Sequence, residues 1–438
     1  MVSAMSAVKP TSTEVAGFQT TEIGMIPDDW TACSLPDSIW FQEGPGLRHW
    51  QFRSSGLKVV NVTNLLENGY LDISNTSRHI SLEEFNKMYK HFLIQENDIL
   101  MASSGNSYGK TAIARKQDLP LLMNTSVIRF QAKEGCDSSF MYTFLKSKFF
   151  KSQVDLMITG GAQPNFGPYH LRKIKIPLPS TIEEQRAIAE ALSDANTLIE
   201  SLEHLIAKKR QIKQGTAQEL LSGKRRLDEF ADKWPERAFG EIFDFLPTAT
   251  NPRGDLREDV GAYYVHYGDI HTRFHSHLDF SIQQPSRIDR SKCKNAALIR
   301  NGDWIMADAS EDLDGVGKCI EVVGLGNEDQ AVSGLHTFLL RERQPTFVQG
   351  FKGHLCNLKS LRDQYLRVMT GMKVFGVSKA ALKHLTLPVP SENEQREITA
   401  ILSDMESEIC QLEMRAEKVR HYKLGMNEEL LTGRVRLI

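Results

Sequence analysis

Apolar residues recur at steps of four and three along two long stretches of the chain. The first seam runs through Ile188, Leu192, Ala195, Ile199, Leu202, Ile206, Lys209, Lys213, Thr216 and Leu220. The second seam runs through Ile398, Leu402, Met405, Ile409, Leu412, Ala416, Val419, Lys423, Met426 and Leu430. A seam sustained over more than four heptads is typical of helices that pair along their length. The alternative is an amphipathic helix that lies on a globular core.

Start and stop signals flank both stretches. Thr181 and Ser391 follow the proline-rich sequences IPLPS and LPVP, and each precedes a glutamate by three residues, which is the pattern of a capping box. Gly223 and Gly433 follow the last apolar pair as C-cap glycines. These signals predict helices over about 181–222 and 391–432, each about 60 Å long at 1.5 Å per residue.

The two stretches are copies of each other. Residues 185–227 and 395–437 are identical at 19 of 43 positions without a gap. The segments before them diverge, but NDILMAS followed by Gly-Lys in the first is echoed by GDWIMAD followed by Gly-Lys in the second. A period this long indicates a duplicated domain and not a solenoid. We expect a pseudo-twofold relation between the halves.

Short β-rich runs such as KVVNVTNL, AYYVHYGDI, DILMAS and DWIMAD are broken by Gly, Asn and Asp. They predict an α+β fold with two mixed α/β domains dominated by antiparallel strands, each followed by a long helix. The predicted borders are 1–21 for an N-terminal extension, 22–172 and 228–384 for the two variable domains, and 173–227 and 385–438 for the two spacer-helix regions.

Composition narrows the function classes. The 438 residues suggest two or three domains, and 41% hydrophobic with 25% charged residues is ordinary for a globular protein. The net charge of −2 means that any nucleic-acid binding must come from local patches. Six cysteines without a CxxC pair argue against a zinc ribbon or a disulfide scaffold. Since no long apolar run is present either, we expect a cytoplasmic protein.

Catalytic motifs are missing from the sequence. The stretch 105–111 resembles a phosphate-binding loop but has three residues between its glycines where that motif has four, which argues against an ATPase. His266, His271, His275 and His277 crowd one segment, but no cysteine pair or carboxylate stands nearby at ligand spacing, so we expect no metal site. The sequence predicts a protein that binds and does not catalyse.

Basic residues cluster near the end of the first predicted helix. Between Leu205 and Leu227 there are seven basic residues and one acidic residue. A solvated helix face is the common explanation of such a run, and a surface that flanks a polyanion is the other.

The repeated block I/L-P-x-P-S…E-Q-R…L-S-D…E-L-L-S/T-G resembles the specificity (S) subunit of type I restriction-modification systems. The opening IGMIPDDW (Ile23 to Trp30) is similar to that family's usual entry to its first target-recognition domain. The resemblance implies that 22–172 and 228–384 are target-recognition domains, each binding one half of a split target in double-stranded DNA. It also implies that the two helices form an antiparallel coiled coil that spaces these domains.

The same resemblance implies partners. Two modification (methyltransferase) subunits and the restriction (motor/nuclease) subunits would dock on this non-catalytic chain, with S-adenosylmethionine, ATP and magnesium bound by the partners and no cofactor here. The alternative is a coiled-coil scaffold or assembly protein without sequence-specific DNA binding.

Candidate DNA-reading loops are 103–110, 160–166, 308–318 and 371–375. Asn106, Gln163 and Asn165 could contact adenine, and Lys373 could contact guanine or a phosphate. The full set of candidates is Ser103, Ser104, Asn106, Lys110, Gln163, Asn165, Asp308, Lys318, Lys373, Lys209, Arg210, Lys213, Arg420 and Lys423. Each could equally be a turn or helix-surface residue.

Overall fold

The computed structural model describes residues 17–74, 76–158, 164–274, 276–313, 315–356 and 358–437. The chain divides into two compact units, Met1–Ser201 with Arg415–Ile438, and Leu202–Met414. Each unit contains segments of both long helices, and the domain borders expected from sequence stay a prediction. Among the described residues, every helix is too short or too polar to span a lipid bilayer.

The first unit begins with small sheets and short helices. Its strands are β1 (Phe18–Thr21), β2 (Gly24–Pro27), β3 (Thr31–Ser34), β4 (Ile39–Glu43), β5 (Leu57–Val60), β6 (His79–Ile80), β7 (Leu93–Ile94), β8 (Ile99–Ala102), β9 (Thr111–Ile113), β10 (Leu121–Met123), β11 (Val127–Ala132) and β12 (Lys175–Leu178). Its short helices are α1 (Leu35–Ser38), α2 (Leu82–Glu84), α3 (Ser138–Leu145), α4 (Lys148–Met157) and α5 (Pro168–Leu171), and the long helix α6 (Ile182–Leu221) follows.

The second unit is also built from short strands and short helices that precede a long helix. Its strands are β13 (Glu236–Ala238), β14 (Phe243–Leu246), β15 (Ala262–Val265), β16 (His277–Asp279), β17 (Arg287–Ile288), β18 (Trp304–Ala307), β19 (Ala309–Ser310), β20 (Cys319–Val323), β21 (Ala331–Ser333), β22 (Thr337–Glu342), β23 (Phe375–Gly376) and β24 (Thr386–Pro388). Its helices are α7 (Phe239–Ile242), α8 (Tyr267–Thr272), α9 (Phe351–Leu355), α10 (Lys359–Val368) and α11 (Lys379–Leu382), and the long helix α12 (Glu392–Leu431) follows.

Each unit has two main sheets of matching order. In the first unit they run β4-β11-β8-β9 and β6-β5-β10-β7, and in the second β14-β22-β18-β20-β16 and β17-β15-β21. Most neighbours are antiparallel, as the sequence predicted, but β10 pairs with β5, β21 with β15 and β20 with β16 in parallel. The mixed helix-and-sheet class is confirmed, whereas the pseudo-twofold relation stays a prediction.

The long helices begin and end where the sequence predicted. Gly223 and Gly433 follow the helix ends with φ of +70° and +71°, the left-handed backbone that a C-cap glycine adopts without strain. Thr181 and Ser391 accept hydrogen bonds from the backbone amides of Glu184 and Glu394 at 3.3 and 3.4 Å. The capping boxes are only half formed, because both glutamate side chains bind other partners.

Within each unit the two long helices run antiparallel. In the second unit, Lys209 and Lys213 of α6 pair with Glu408 and Glu406 of α12, and Arg226 beyond the end of α6 pairs with Glu394 near the start of α12. In the first unit Arg436, beyond the end of α12, pairs with Glu184 near the start of α6. The buried seam residues are Ile188, Leu192, Leu202, Ile206, Leu220, Ile398, Leu402, Ile409, Ala416 and Leu430. The predicted seam is therefore confirmed.

The helix starts are also tied to the backbone just before the short helices α3 and α9. The Gln185 side chain accepts a hydrogen bond from the backbone amide of Asp137 at 2.7 Å, and the Gln395 side chain accepts one from the amide of Val348 at 2.8 Å. Both glutamines are 1% exposed, so these hydrogen bonds are shielded from water. The repeated Glu-Gln pair thus anchors each helix to the unit that holds its start.

Candidate nucleic-acid interface

Two asparagines meet at one sheet edge of the first unit. Asn61 follows β5 and Asn124 follows β10, and the carboxyl ends of neighbouring parallel strands lie at the same edge of a sheet. The Asn124 side-chain amide donates to Asn61 Oδ1 at 2.7 Å, and the Asn124 backbone amide donates to the Val60 carbonyl at 3.0 Å. The strand pairing therefore brings the two amides together.

A polar cleft of about 490 Å³ opens beside these amides. It is lined by Leu47, Asn61, Val62, Thr63, Asn64, Thr76, Ser77, Arg78, Ser104, Asn124, Thr125 and Ser126. Arg78 donates to Asn61 Oδ1 at 3.0 Å, and its guanidinium lies 5.1 Å from the ring centre of Phe52. Amides, hydroxyls and a guanidinium supply both donors and acceptors, which is the chemistry that reads base edges in DNA.

One acceptor beside the cleft has no partner among the described residues. Asn124 Oδ1 is buried without a hydrogen bond. A buried acceptor left unpaired costs about 1–3 kcal/mol. In this conformation the atom is shielded from solvent, so a ligand or a water molecule would reach it only after a local side-chain movement.

The second unit places aromatic and imidazole rings at the corresponding strand end. His266 follows β15, which is parallel to β21, and its Nδ1 accepts from the backbone amide of Gly268 at 3.0 Å, which caps α8. Tyr267 contacts the rings of His336 and His271 edge-on, with ring centres 5.5 and 5.9 Å apart. Burial lowers the pKa of His266, and the nearby charge of Arg253 lowers it further.

Charged side chains surround this ring cluster. His336 Nδ1 lies 3.3 Å from Asp308 Oδ1, and Lys318 donates to the His271 carbonyl at 2.9 Å. Burial raises the pKa of Asp308, and His336 opposes that rise. The cluster offers imidazole and phenol donors together with ring faces, which can hydrogen-bond to a polyanion or stack on a base.

Some predicted residues of the first unit lie at the cleft and others do not. Ser104 lines the cleft and forms a β-bridge with Asn165. Ser103 is fully buried, so it does not present its side chain to a ligand in this conformation. Asn106 is exposed, and Lys110 pairs with Glu67 at 3.1 Å.

The remaining predicted loop residues divide in the same way. Gln163 lies outside the described residues, as do the neighbouring positions 159–162. Asp308 and Lys318 belong to the ring cluster of the second unit, and Lys373 is exposed. DNA contact by these residues stays a prediction.

The basic helix residues are engaged within the protein. Lys209, Arg210 and Lys213 pair with Glu408, Glu413 and Glu406 of α12. Arg420 pairs with Glu417 at 3.0 Å. Lys423 is half-buried, and burial together with the charge of Lys146 lowers its pKa. These contacts give the basic run a role in helix packing, and its role in DNA binding stays a prediction.

The sequence reasoning missed the residues at the parallel-strand ends. Asn61, Arg78 and Asn124 were not among the candidates, and neither were Tyr267 and His336. A signal was present for the two asparagines, because each directly follows a short apolar run, KVV or LLM. Arg78 lies at the polar cleft and His336 in the ring cluster. Both residues are in loops, and no local sequence pattern predicts where these loops place them.

A family model described as the type I restriction modification DNA specificity domain matches residues 29–213. This part of the chain is similar to the type I restriction-modification DNA specificity domain. The matched residues include those that line the polar cleft and most of α6. The resemblance read from the sequence motifs is confirmed.

Curated relatives agree with this assignment. The chain is 30% identical over 218 residues to the type I restriction enzyme MjaVIII specificity subunit of Methanocaldococcus jannaschii, covering 49% of this chain and 50% of the relative. It is 28% identical over 186 residues to the MjaIX specificity subunit of the same organism, covering 42% of each chain. These matches span about half the length of the curated relatives.

Solved structures share the fold over nearly the whole chain. The S subunit of a type I restriction-modification system from M. genitalium matches with a TM-score of 0.52 at 17% identity, covering 92% of this chain and 96% of that one. A chain from a structure on complex assembly and conformational transition of the type I restriction-modification system matches with a TM-score of 0.58 at 14% identity, covering 94% and 99%. At these identities the likeness establishes the fold.

Proposed function

We propose that this chain is the DNA-recognition subunit of a type I restriction-modification complex and reads a bipartite target with one domain per half-site. The specificity domain at 29–213 is the observation that carries the proposal. The polar cleft beside Asn61 and Asn124 supports it, because the amides, hydroxyls and guanidinium that line the cleft are groups that can read base edges. The ring cluster around Tyr267 is the corresponding surface of the second unit.

The reaction itself is assigned to partners. In this proposal two modification subunits supply methyl transfer with S-adenosylmethionine, and restriction subunits supply ATP-driven cleavage with magnesium. The chain positions DNA for both, and the partners bind S-adenosylmethionine, ATP and magnesium. Such a complex would act in the cytoplasm, where its DNA target lies.

The helices provide the frame for the proposed assembly. The ion pairs of Lys209, Arg210 and Lys213 with glutamates of α12 hold the helix segments of the second unit in one register. A docking surface for a partner subunit requires that the two helices keep a fixed register, because their exposed side chains then keep a constant spacing.

Gel-shift binding tests the proposal directly. The methyltransferase partner would be purified with and without this chain and mixed with fragments of genomic DNA. We expect a subset of fragments to be retarded at low protein concentration only when the chain is present. Equal retardation of all fragments in both samples would contradict sequence recognition and would favour a scaffold role.

A further inference from the structure

Three potential metal ligands converge in the second unit, away from the ring cluster. His277 lies on β16, His354 on α9 and Glu406 on α12, and their ligand atoms all lie within 4.8 Å of one another. Nδ1 of His277 lies 3.8 Å from Glu406 Oε2, and Nδ1 of His354 lies 3.8 Å from Oε1. The two imidazole ring centres are 4.9 Å apart.

Contacts with the backbone around Gly350 and Gly353 orient His277 for coordination. Its Nε2 lies 2.8 Å from the Gly350 carbonyl, which can only accept, so Nε2 carries the proton and Nδ1 presents a lone pair. A carbonyl on the remote nitrogen is the arrangement that fixes metal-binding histidines. Gly353 permits this position, since a Cβ there would lie 2.2 Å from His277 Nε2.

His354 is suited to the same role. Its side chain is 2% exposed, and its Nδ1 lies 3.8 Å from Glu406 Oε1, whereas Nε2, the other ring nitrogen, is buried without a hydrogen-bond partner among the described residues. Because Nδ1 faces the Glu406 carboxylate, its lone pair is the one that a metal ion between the two side chains would meet. A neutral imidazole is the form that binds a metal.

We propose that His277, His354 and Glu406 form a binding site for a divalent transition metal ion, with Zn²⁺ as the probe and water as a fourth ligand. Two histidines and one glutamate with an open position form a known zinc ligand set. In a tetrahedral site with bonds of about 2.0 Å, ligand atoms lie about 3.3 Å apart. The two 3.8 Å separations run to different oxygens of Glu406, and the ligand atoms lie within 4.8 Å of one another, so the side chains must move closer together to share one ion.

Lys213 is the competitor at this site. Its ammonium group pairs with Glu406 Oε1, the oxygen that faces His354. A metal ion that binds Glu406 must displace this ammonium group. The bound ion would link β16, α9 and α12 of the second unit. Without the ion, the Lys213–Glu406 ion pair links α6 to α12.

Zinc titration of the full-length chain, after removal of bound metal with a chelator, tests the site. We expect one Zn²⁺ per chain and at least a tenfold loss of affinity in His277→Ala and Glu406→Gln, since even outer-shell changes cost about 10–100-fold. His204→Ala, on the exposed side of α6, is the matched control and should bind as the wild type does. Far-UV circular dichroism would verify that each variant is folded.

Lys213→Met separates a metal site from a merely structural cluster. Removing the competing ammonium group should tighten zinc binding, whereas a structural lysine would leave zinc affinity unchanged or lowered. X-ray absorption of the zinc-loaded chain should give nitrogen and oxygen ligands at about 2.0 Å. No zinc binding, binding unchanged by His277→Ala and Glu406→Gln, or no tightening in Lys213→Met would overturn the proposal.

Discussion

Arg226 and Glu394 form a two-point ion pair, with Nε 2.8 Å from Oε1 and Nη2 2.9 Å from Oε2. The Trp234 indole donates to the same carboxylate at 2.7 Å, and the guanidinium lies 5.0 Å from the Trp234 ring centre. A buried carboxylate near the start of one long helix thus binds residues that follow the end of the other.

The first unit repeats this arrangement with the duplicated residues. Arg436 Nη2 lies 2.8 Å from Glu184 Oε2, and the Trp30 indole donates to the same oxygen at 3.1 Å. Arg436 also binds Asp29 through two hydrogen bonds of 2.8 Å. The glutamate of each repeat therefore serves as an acceptor for tryptophan and arginine.

Arg226→Met should lower the free energy of unfolding by about 3 kcal/mol. Glu394 is 1% exposed, and a buried charge that loses its partner is costly. Arg225→Met is the matched control, because Arg225 is exposed and its contact with Glu219 is 3.8 Å long, so its effect should stay within about 0.5 kcal/mol. Chemical denaturation measures both variants, and equal effects would show that the buried pair contributes no special stability.

Leu202→Ala should lower the free energy of unfolding by about 2–5 kcal/mol, the usual range for a leucine in a packed core. Leu202 is 5% exposed on the helix seam, whereas Leu205 on the same helix is 39% exposed. Leu205→Ala should therefore have a much smaller effect. Thermal or chemical unfolding of the two variants compares them, and similar losses would contradict the seam.

Asn124→Ala should weaken binding to the DNA target by about 1–3 kcal/mol, the cost of losing one base-reading contact. Asn86→Ala is the control, because Asn86 is exposed and does not line the cleft. Fluorescence anisotropy with the partner methyltransferase present gives the affinities, and thermal unfolding verifies that the variants are folded. Unchanged DNA affinity in folded Asn124→Ala would exclude this cleft as a reader.

Lowering the pH from about 8 to about 5 should destabilise the wild type more than His266→Asn. Burial holds the pKa of His266 below its unfolded value of about 6.5, so the unfolded chain takes up a proton that the folded chain resists. Stability from this group is present above that pKa and is lost as the pH falls through it. Asparagine can still cap α8 but does not titrate. Equal pH dependence of unfolding in both proteins would contradict the role of His266.

The long helices were predictable because their signals are local. The proline-rich entries, Thr181, Ser391 and the C-cap glycines gave the ends to within one residue, and the seam gave the buried face. The roles of Glu184 and Glu394 were not predictable, because Trp30, Trp234 and the arginines reach them from distant positions in the sequence.

The candidate DNA-binding and metal-binding residues were less predictable than the long helices. Strand pairing decides that Asn61 and Asn124 meet, and the parallel pairing of β5 with β10 has no sequence pattern of its own. His277, His354 and Glu406 are equally far apart in sequence, so the expectation that no metal site is present rested on the nearest residues alone. Loops such as 308–318 were identified because they follow matching strand sequences in the two copies. This position in the sequence does not specify which of their side chains face outward.

Exchange of residues 22–172 for the corresponding domain of a related specificity subunit tests the central claim most directly. Methylated adenines would be mapped across the genome of cells that carry the exchanged chain and the partner methyltransferase. If each domain reads one half-site, one half of the methylated sequence changes and the other half stays the same. Methylation in which both halves change together, or in which neither half changes, would contradict the account.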